Sequence, residues 1–139
     1  MTSDRLARDY LRRTRARRRA LDTLKEAEAF AGVVREAQEV VELLLKGALR
    51  FVGVDPPKRH DVRSAILRAM ERFPPEARDE LRALADASSV LAQERSHAFY
   101  GDEEAMVGAS ELFKAEDGGR ALTLVDRVLS LYARLLGES

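Results

Sequence analysis

The chain has 139 residues, with 24 lysines and arginines balanced by 24 aspartates and glutamates, two histidines and no cysteine. This length suits one domain over residues 1–139, and the balanced charge predicts no whole-molecule field that would attract a nucleic acid or a membrane. The missing cysteines exclude disulfides and thiolate chemistry, and two histidines far apart in sequence argue against zinc, so we expect no metal site and no cofactor.

Neither a membrane span nor a secretory leader is indicated by the sequence. There is no apolar stretch of about 18 residues, and no charged-then-apolar segment follows Met1. We therefore expect a cytoplasmic protein that makes no membrane contact.

The first predicted helix begins at Ser3 or Asp4, either of which can cap it, and runs to about Ala27. Its inner face should carry Leu6, Tyr10, Thr14, Arg17, Leu21 and Leu24. The basic run RRTRARRR in its middle has three interpretations: ion pairing with acidic residues elsewhere, a surface that contacts phosphates, or a dock for an acidic partner. The arginines concerned are Arg12, Arg13, Arg15, Arg17, Arg18 and Arg19.

The second helix, from Phe30 to Val52, is predicted to be the core of the fold. Apolar residues recur in it every three or four positions, which is the period of one helix face: Phe30, Val33, Val34, Ala37, Val40, Val41, Leu44, Leu45, Ala48, Leu49 and Val52. It should end at Gly53, and Pro56 and Pro57 then form an elbow. Gln38, Glu42 and Lys46 share one edge of this helix, for which we predict a solvated stripe.

A short third helix is predicted from His60 or Asp61 to Phe73, with Asp61 as its N-cap. His60 has three interpretations: it packs or caps at the helix start, it acts as an acid or base, or it binds phosphate together with Lys58 and Arg59. Two cations beside a helix N-terminus are compatible with an anion site.

The fourth helix, from Pro75 to Tyr100, places an arginine on its inner face. A rotation of about 100° per residue brings these side chains to one side: Leu81, Leu84, Ser88, Leu91, Arg95 and Phe99. Because a guanidinium keeps its charge and is costly to bury alone, Arg95 needs an internal carboxylate, a helix C-terminus or an anionic ligand. A carboxylate would make a structural ion pair, and an anionic ligand would make a functional site.

The C-terminal part should contain a linker over residues 101–108, a helical turn over 110–115 and a break at Gly118 and Gly119. A last helix ending at Gly137 then presents Leu122, Val125, Val128, Leu129, Tyr132, Leu135 and Leu136 to the core. No strand pattern, repeat or phosphate-binding glycine loop is present in the sequence. The predicted fold is all-α, an up-and-down antiparallel bundle of about five helices.

Two motifs in this pattern resemble the HEPN family of small helical-bundle proteins, over residues of about 4 to 136. The first is A-Q-x-x-x-E-x-x-x-K followed by an aliphatic run and then P-P-x-x-H-D, at Pro56, Pro57, His60 and Asp61. The second is the segment Glu94 to Asp102, which resembles the HEPN ribonuclease motif of an arginine followed after four to six residues by a histidine.

In that second motif Arg95 matches the arginine and Ser96 its polar neighbour, whereas Tyr100 stands in the place of the histidine. His97 follows Arg95 after a single residue, so on a helix it should leave the opposite face, rotated by about 200°. In RNA cleavage without a metal, histidine would take the 2′-hydroxyl proton and arginine would stabilise the phosphorane charge. Tyr100 is better suited to donate a hydrogen bond to phosphate or to be modified.

The resemblance implies a homodimer whose arginine-containing segment faces a cleft, and a minimal nucleotidyltransferase as partner in a toxin–antitoxin pair, where adenylylation of a motif tyrosine can silence the toxin. Our first hypothesis is a module that binds a nucleotide or RNA phosphate around Arg95, Ser96 and Tyr100, with the elbow residues 58–60. The alternatives are a metal-independent endoribonuclease toxin that uses Arg95, Tyr100 and His97, and a purely structural helical dimer.

Overall fold

The computed structural model describes residues 2–138, and the side chains from Asp4 onward, as four long helices and two short ones. The helices are α1 (Thr2–Glu26), α2 (Phe30–Phe51), α3 (Arg63–Arg68), α4 (Arg78–Tyr100), α5 (Ala109–Leu112) and α6 (Ala115–Leu135). Two 3₁₀ turns, Met70–Arg72 and Pro75–Ala77, lie between α3 and α4. Residues 2–138 contain no β-strand, so the all-α prediction is confirmed.

Helix α2 lies at the centre of the bundle and packs against α1, α4 and α6. Its predicted inner face is confirmed from Val33 to Leu49, while Phe30 and Val52 at the two ends are only partly buried. Gly53 has a φ of 83°, a conformation that favours glycine, and α2 ends just before it as expected. The apolar repeat of α2 thus matches the residues of this helix that are buried.

Close contact among α1, α2 and α6 depends on Gly47. A Cβ atom at this position would lie 2.4 Å from the Tyr132 hydroxyl and 2.8 Å from the Tyr10 ring. Tyr132 is buried, its hydroxyl donates a 2.6 Å hydrogen bond to the Ala7 carbonyl, and burial raises the pKa of this phenol. The missing side chain therefore leaves room for a tyrosine that bridges two helices.

Ion pairs show that α6 runs antiparallel to both α1 and α4. Near the start of α1, Arg8 pairs with Glu138, which follows α6, at 2.8 Å. Near the start of α4, Glu80 pairs with Arg134 at the end of α6, also at 2.8 Å. This is the predicted up-and-down order.

The inner face of α1 differs from the prediction. Ala7, Leu11, Thr14 and Leu21 are buried, whereas Arg17 is exposed. Thr14 is tolerated inside because its hydroxyl donates to the Tyr10 carbonyl at 2.8 Å. Asp4 lies in the first turn of a helix that already begins at Thr2, so it does not cap it, and the side chain of Ser3 lies outside the described residues.

The arginine run of α1 takes part in ion pairs with acidic residues, as one of the three interpretations predicts. Arg18 holds Asp126 on α6 with a 2.6 Å contact and Asp22 on its own helix at 2.8 Å. Pairs at up to 4.0 Å join Arg12 and Arg13 to Asp9, Arg15 to Glu138 and Arg17 to Glu36. The run therefore ties α1 to other parts of the bundle, although each exposed pair stabilises it only slightly.

Two predicted helix boundaries are wrong, and the fourth helix begins at Pro75 as predicted, but with a 3₁₀ turn. The third helix begins at Arg63, not at residue 60 or 61, and its N-cap position is Val62, although the Asp61 carboxylate accepts a hydrogen bond from the Arg63 N–H at 3.0 Å. The last helix begins at Ala115, and the two glycines that were expected to precede it lie inside it. Its first turn is closed because the Asp117 carboxylate accepts from the Lys114 N–H at 2.8 Å. The fourth helix becomes α-helical at Arg78, since Pro75–Ala77 form a 3₁₀ turn.

Candidate functional site

A cavity of about 370 Å³ lies between α2, the C-terminal half of α4 and the elbow that follows α2. Its volume falls in the lower part of the range for small-molecule sites. It brings together four of the residues predicted from the sequence: Arg95, Ser96, Tyr100 and His60. The other lining residues are Arg35, Ala92, Gln93 and Phe99. We call this space the α2–α4 cavity.

Arg95 is half-buried in the wall of this cavity and has a neutral partner. Its Nη1 donates a short hydrogen bond to the side-chain oxygen of Gln38, which is buried. Within residues 4–138 no carboxylate forms an ion pair with Arg95, so the internal ion pair considered from the sequence is not present there. The guanidinium is held in place without having its charge neutralised.

Gln38, Glu42 and Lys46 form a partly buried polar network, and the predicted solvated stripe is wrong. Glu42 accepts hydrogen bonds from Gln38 at 3.0 Å, from Lys46 at 2.9 Å and from the His60 Nδ1 at 2.9 Å. Burial acts to raise the pKa of Glu42, but the hydrogen bonds from these three side chains outweigh it and lower the pKa below the ordinary glutamate value. Glu42 is therefore an ionised acceptor at the centre of the network.

The ionised Glu42 also determines which way the Gln38 amide faces. A carboxylate only accepts hydrogen bonds and a guanidinium only donates them, so the amide must turn its NH₂ to Glu42 and its oxygen to Arg95. In the series Arg95, Gln38 and Glu42, each residue therefore donates its hydrogen bond to the next one. This series positions the Arg95 side chain at the cavity wall.

Arg35 is a cavity residue that the sequence interpretation missed. Its guanidinium carbon lies 4.2 Å from the centre of the Phe99 ring, a cation–π contact. Its Nε is buried without a hydrogen-bond partner and lies 3.9 Å from a Glu39 carboxylate oxygen. The signal was available, because Arg35 precedes Gln38 by three residues and thus lies on the same edge of α2.

Two aromatic side chains at the end of α4 line the same cavity. Phe99 was predicted to face the core, but it is 58% exposed, and Tyr100 is 63% exposed. Their ring centres are 4.6 Å apart in an edge-to-face arrangement. An exposed pair of this kind offers an apolar surface next to two guanidinium groups.

His60 reaches the cavity because the elbow is fastened to α4. The Asp61 carboxylate accepts a 2.7 Å hydrogen bond from the Ser89 hydroxyl, and Arg63 contacts Asp86 at 2.6 Å. These contacts hold the neighbouring His60 beside Glu42, with 57% of its side chain exposed. His60 therefore contacts α2 and does not cap α3, whose N-cap position is Val62.

Three predicted site residues do not line the cavity. His97 is exposed, and it is absent from the wall that Arg95 and Ser96 share, which agrees with the expected rotation along the helix. Lys58 and Arg59 are also exposed and lie outside the lining. Only His60 of the three elbow residues is therefore brought to Arg95.

A larger cavity of about 720 Å³ lies between α4 and α6, and it contains none of the predicted site residues. Its wall combines aliphatic residues, among them Val90, Leu91 and Leu124, with charged ones such as Arg120 and Arg127. Glu94 lies in it, and burial together with the nearby Asp117 charge raises the pKa of this carboxyl. Size alone does not make it the better candidate for an anion, because three carboxylates, Glu94, Glu116 and Asp117, line it together with two arginines, whereas no carboxylate of residues 4–138 lines the α2–α4 cavity.

No group of three or more histidines, aspartates or glutamates within residues 4–138 is arranged to hold a metal ion. None of the helices over residues 2–138 is long and apolar enough to cross a bilayer.

The fold and the cavity define a small all-α bundle in which two arginines line a cavity beside the central helix. A family model, the HEPN domain, matches residues 7–135, which is nearly the whole chain. This chain belongs to the HEPN domain family. Neither the curated proteins nor the solved structures compared with it gave a significant match.

Proposed function

We propose that this protein binds the phosphate of a nucleotide or of RNA in the α2–α4 cavity. The observation that carries the proposal is the state of Arg95, which is half-buried against neutral Gln38 and has no carboxylate partner within residues 4–138. A guanidinium stays charged, and charge-assisted hydrogen bonds to a phosphate would supply the missing counter-charge. Arg35 supplies a second guanidinium in the same wall.

The proposed setting is a homodimer that acts with a minimal nucleotidyltransferase in a toxin–antitoxin-like module. Membership of the HEPN family supports this setting, as does the exposure of Phe99, Tyr100 and Met106 close together in sequence, because exposed apolar residues favour association. The exposed Tyr100 is accessible to the adenylylation that the family resemblance implies. Light scattering of the purified protein tests the dimer, and co-purification with a nucleotidyltransferase from a neighbouring gene tests the partner.

Calorimetric titration with adenosine 5′-monophosphate and with a short RNA tests the binding site. Arg95→Gln should weaken binding about tenfold or more, since it removes a charged donor from the cavity. Arg82→Gln is the matched control, because Arg82 is an exposed arginine on the same helix, about 20 Å away along its axis. Equal affinity of both variants would reject the cavity as the binding site.

Cleavage of RNA is a second candidate function, which the position of His60 favours. Its Nδ1 contacts the Glu42 carboxylate at 2.9 Å, which leaves Nε2 as a proton acceptor in a cavity that also contains Arg95. That His60, Arg95 and Tyr100 line the same cavity supports this candidate. Incubation of a mixed RNA pool with EDTA tests the activity: cleavage lost in both His60→Gln and Arg95→Ala supports it, and no cleavage by the unmodified protein rejects it.

A further inference from the structure

We infer that the α2–α4 cavity holds one unpaired nucleotide, with its phosphate on Arg95 and its base stacked on the ring of Tyr100. The inference rests on the proposed phosphate-binding function and adds recognition of a base to it. It is carried by the volume of the cavity, by its aromatic wall and by the exposure of Tyr100.

A phosphate alone leaves much of the α2–α4 cavity unfilled. The cavity has a volume of about 370 Å³. At about 30 Å³ for each heavy atom, the share of one molecule in liquid water, the roughly five heavy atoms of a phosphate fill about 150 Å³. More than half of the space therefore remains for another part of the same ligand.

The cavity wall beyond Arg95 is suited to a flat apolar group. Phe99 and Tyr100 both line the cavity, with ring centres 4.6 Å apart and ring planes at 86° to each other. Two rings at this angle form a corner, in which a planar group stacks on one ring and meets the other with its edge. A nucleobase is such a planar group, and the sugar joins it to a phosphate.

Tyr100 provides the ring that is free to stack. The Arg35 guanidinium already lies over the Phe99 ring, with its carbon 4.2 Å from the ring centre. Tyr100 is 63% exposed, and within residues 4–138 the only ring that it contacts is that of Phe99. Arg95 and Tyr100 are separated by a rise of about 7.5 Å along α4, so one nucleotide can reach both with its phosphate and its base.

A base inside a duplex cannot occupy this corner. Neighbouring bases cover both of its faces, its edge is paired, and turning it out of the stack costs free energy. Proteins that bind single strands combine positive charge with aromatic rings on which bases stack, and Arg95 and Tyr100 bring these two features together in one cavity. The cavity therefore favours an unpaired nucleotide, either free or within a single strand.

Calorimetry at pH 7 with adenosine 5′-monophosphate and ribose 5-phosphate tests base recognition, because the two ligands share the sugar phosphate and differ in the base. The nucleotide should bind about tenfold or more tightly, which is the contribution of one stacked base. Tyr100→Leu should remove this preference by weakening the nucleotide, and Tyr100→Phe should retain it because the ring is kept. Val90→Ala is the control: Val90 is an exposed apolar residue of α4 outside this cavity, so both affinities should stay unchanged.

Tyrosine fluorescence measures the stacking in the unmodified protein. The chain has no tryptophan, and Tyr132 is buried, so a base stacked on the exposed Tyr100 should quench the emission. Adenosine 5′-monophosphate should therefore lower the emission after correction for its own absorption, whereas ribose 5-phosphate should not. Tyr100→Phe should bind the nucleotide without this quenching, and circular dichroism checks that each variant folds.

A short RNA of mixed sequence, alone and annealed to its complement, tests the requirement for an unpaired base. The single strand should bind about tenfold or more tightly than the duplex, and equal affinity would overturn that requirement. Binding of the single strand without the mononucleotide assigns the site to RNA, and the converse assigns it to free nucleotides.

Two further outcomes separate this inference from the proposed function. Equal affinity for adenosine 5′-monophosphate and ribose 5-phosphate, with both lost in Arg95→Gln, would overturn base recognition and leave the proposed phosphate binding intact. Absence of binding by every one of these phosphate-containing ligands would overturn both.

Discussion

Replacement of Arg95 by methionine separates a binding role from a structural one. Methionine keeps an unbranched apolar side chain, so much of the packing of the arginine stem is retained, while the charge and the hydrogen bond to Gln38 are removed. If Arg95 is positioned for a ligand, its loss should abolish ligand binding and cost little stability.

The expected loss in the free energy of unfolding is about 1 to 1.5 kcal/mol. A hydrogen bond to a charged group contributes roughly 1.5 to 3 kcal/mol, and the half-exposed position of Arg95 places it at or below the lower end. The substitution also removes a partly buried charge that has no carboxylate partner, and the stability regained in this way offsets part of that cost. A structural ion pair would behave differently, since removing one member of a buried pair costs about 3 to 5 kcal/mol.

Urea denaturation at pH 7, with and without adenosine 5′-monophosphate, measures both effects. The unmodified protein should be stabilised by the nucleotide, whereas Arg95→Met should show the same midpoint with and without it. Arg82→Met on the exposed side of α4 is the control, for which we expect a change within about 0.5 kcal/mol. A double-mutant cycle with Gln38→Leu should give a coupling energy of about 1 kcal/mol for the Arg95–Gln38 contact.

Two results would refute this reasoning. A loss above about 3 kcal/mol in Arg95→Met would mean that the arginine is part of the structural core. Nucleotide stabilisation that persists in the variant would mean that the ligand binds elsewhere, and the larger cavity between α4 and α6 would be the next site to examine.

The remaining predictions concern helix packing and acid stability. Gly47→Ala should destabilise the protein by about 1 to 3 kcal/mol in urea denaturation, because the new Cβ would overlap the Tyr132 hydroxyl. Gly119→Ala should stabilise it by about 0.5 to 1 kcal/mol, because alanine favours the helix and no atom lies within 4 Å of the new Cβ. Destabilisation by both changes would contradict the packing argument. The pKa of Glu42 is lower in the folded protein than in the unfolded chain, so the ionised carboxylate stabilises the fold. This contribution to the free energy of unfolding is complete above the ordinary glutamate pKa of about 4.3, and it is lost as the pH falls through the folded-state pKa. Urea midpoints from pH 7 to 3 should therefore fall less steeply in Glu42→Gln, and an unchanged slope would exclude Glu42 as a contributor.

The pattern of apolar residues predicted the long helices well, because a helix that buries one face must repeat that face every three or four residues. The core side of α2 from Val33 to Leu49 follows this period without a break. The prediction was weaker for α1, where the apolar repeat is interrupted by arginines and the buried side chains are Ala7 and Leu11 instead of Leu6. Short local contacts also escaped the pattern, such as the Asp117 carboxylate in the first turn of α6, a helix that begins three residues before the expected break at Gly118.

The candidate site was predicted in part. Arg95 was identified from the sequence because a charge on an apolar face requires a partner, and Ser96 and Tyr100 follow it on α4. Arg35 was missed because an arginine on a partly polar helix edge resembles any solvated side chain. Gln38 was assigned to that same edge, although it proves to be buried and to hold Arg95.

The sequence by itself determined the helical class, the central helix, and the arginine that needs a partner, since each of these follows from residue spacing and charge along one helix. Only the tertiary structure decided that Arg35, His60 and Arg95 line one cavity, and that the partner of Arg95 is a neutral amide. These side chains lie on α2, the elbow and α4, between 25 and 60 residues apart in pairs, by the numbering of the chain. Helical periodicity describes the faces of a single helix, and it contains no information about which faces meet.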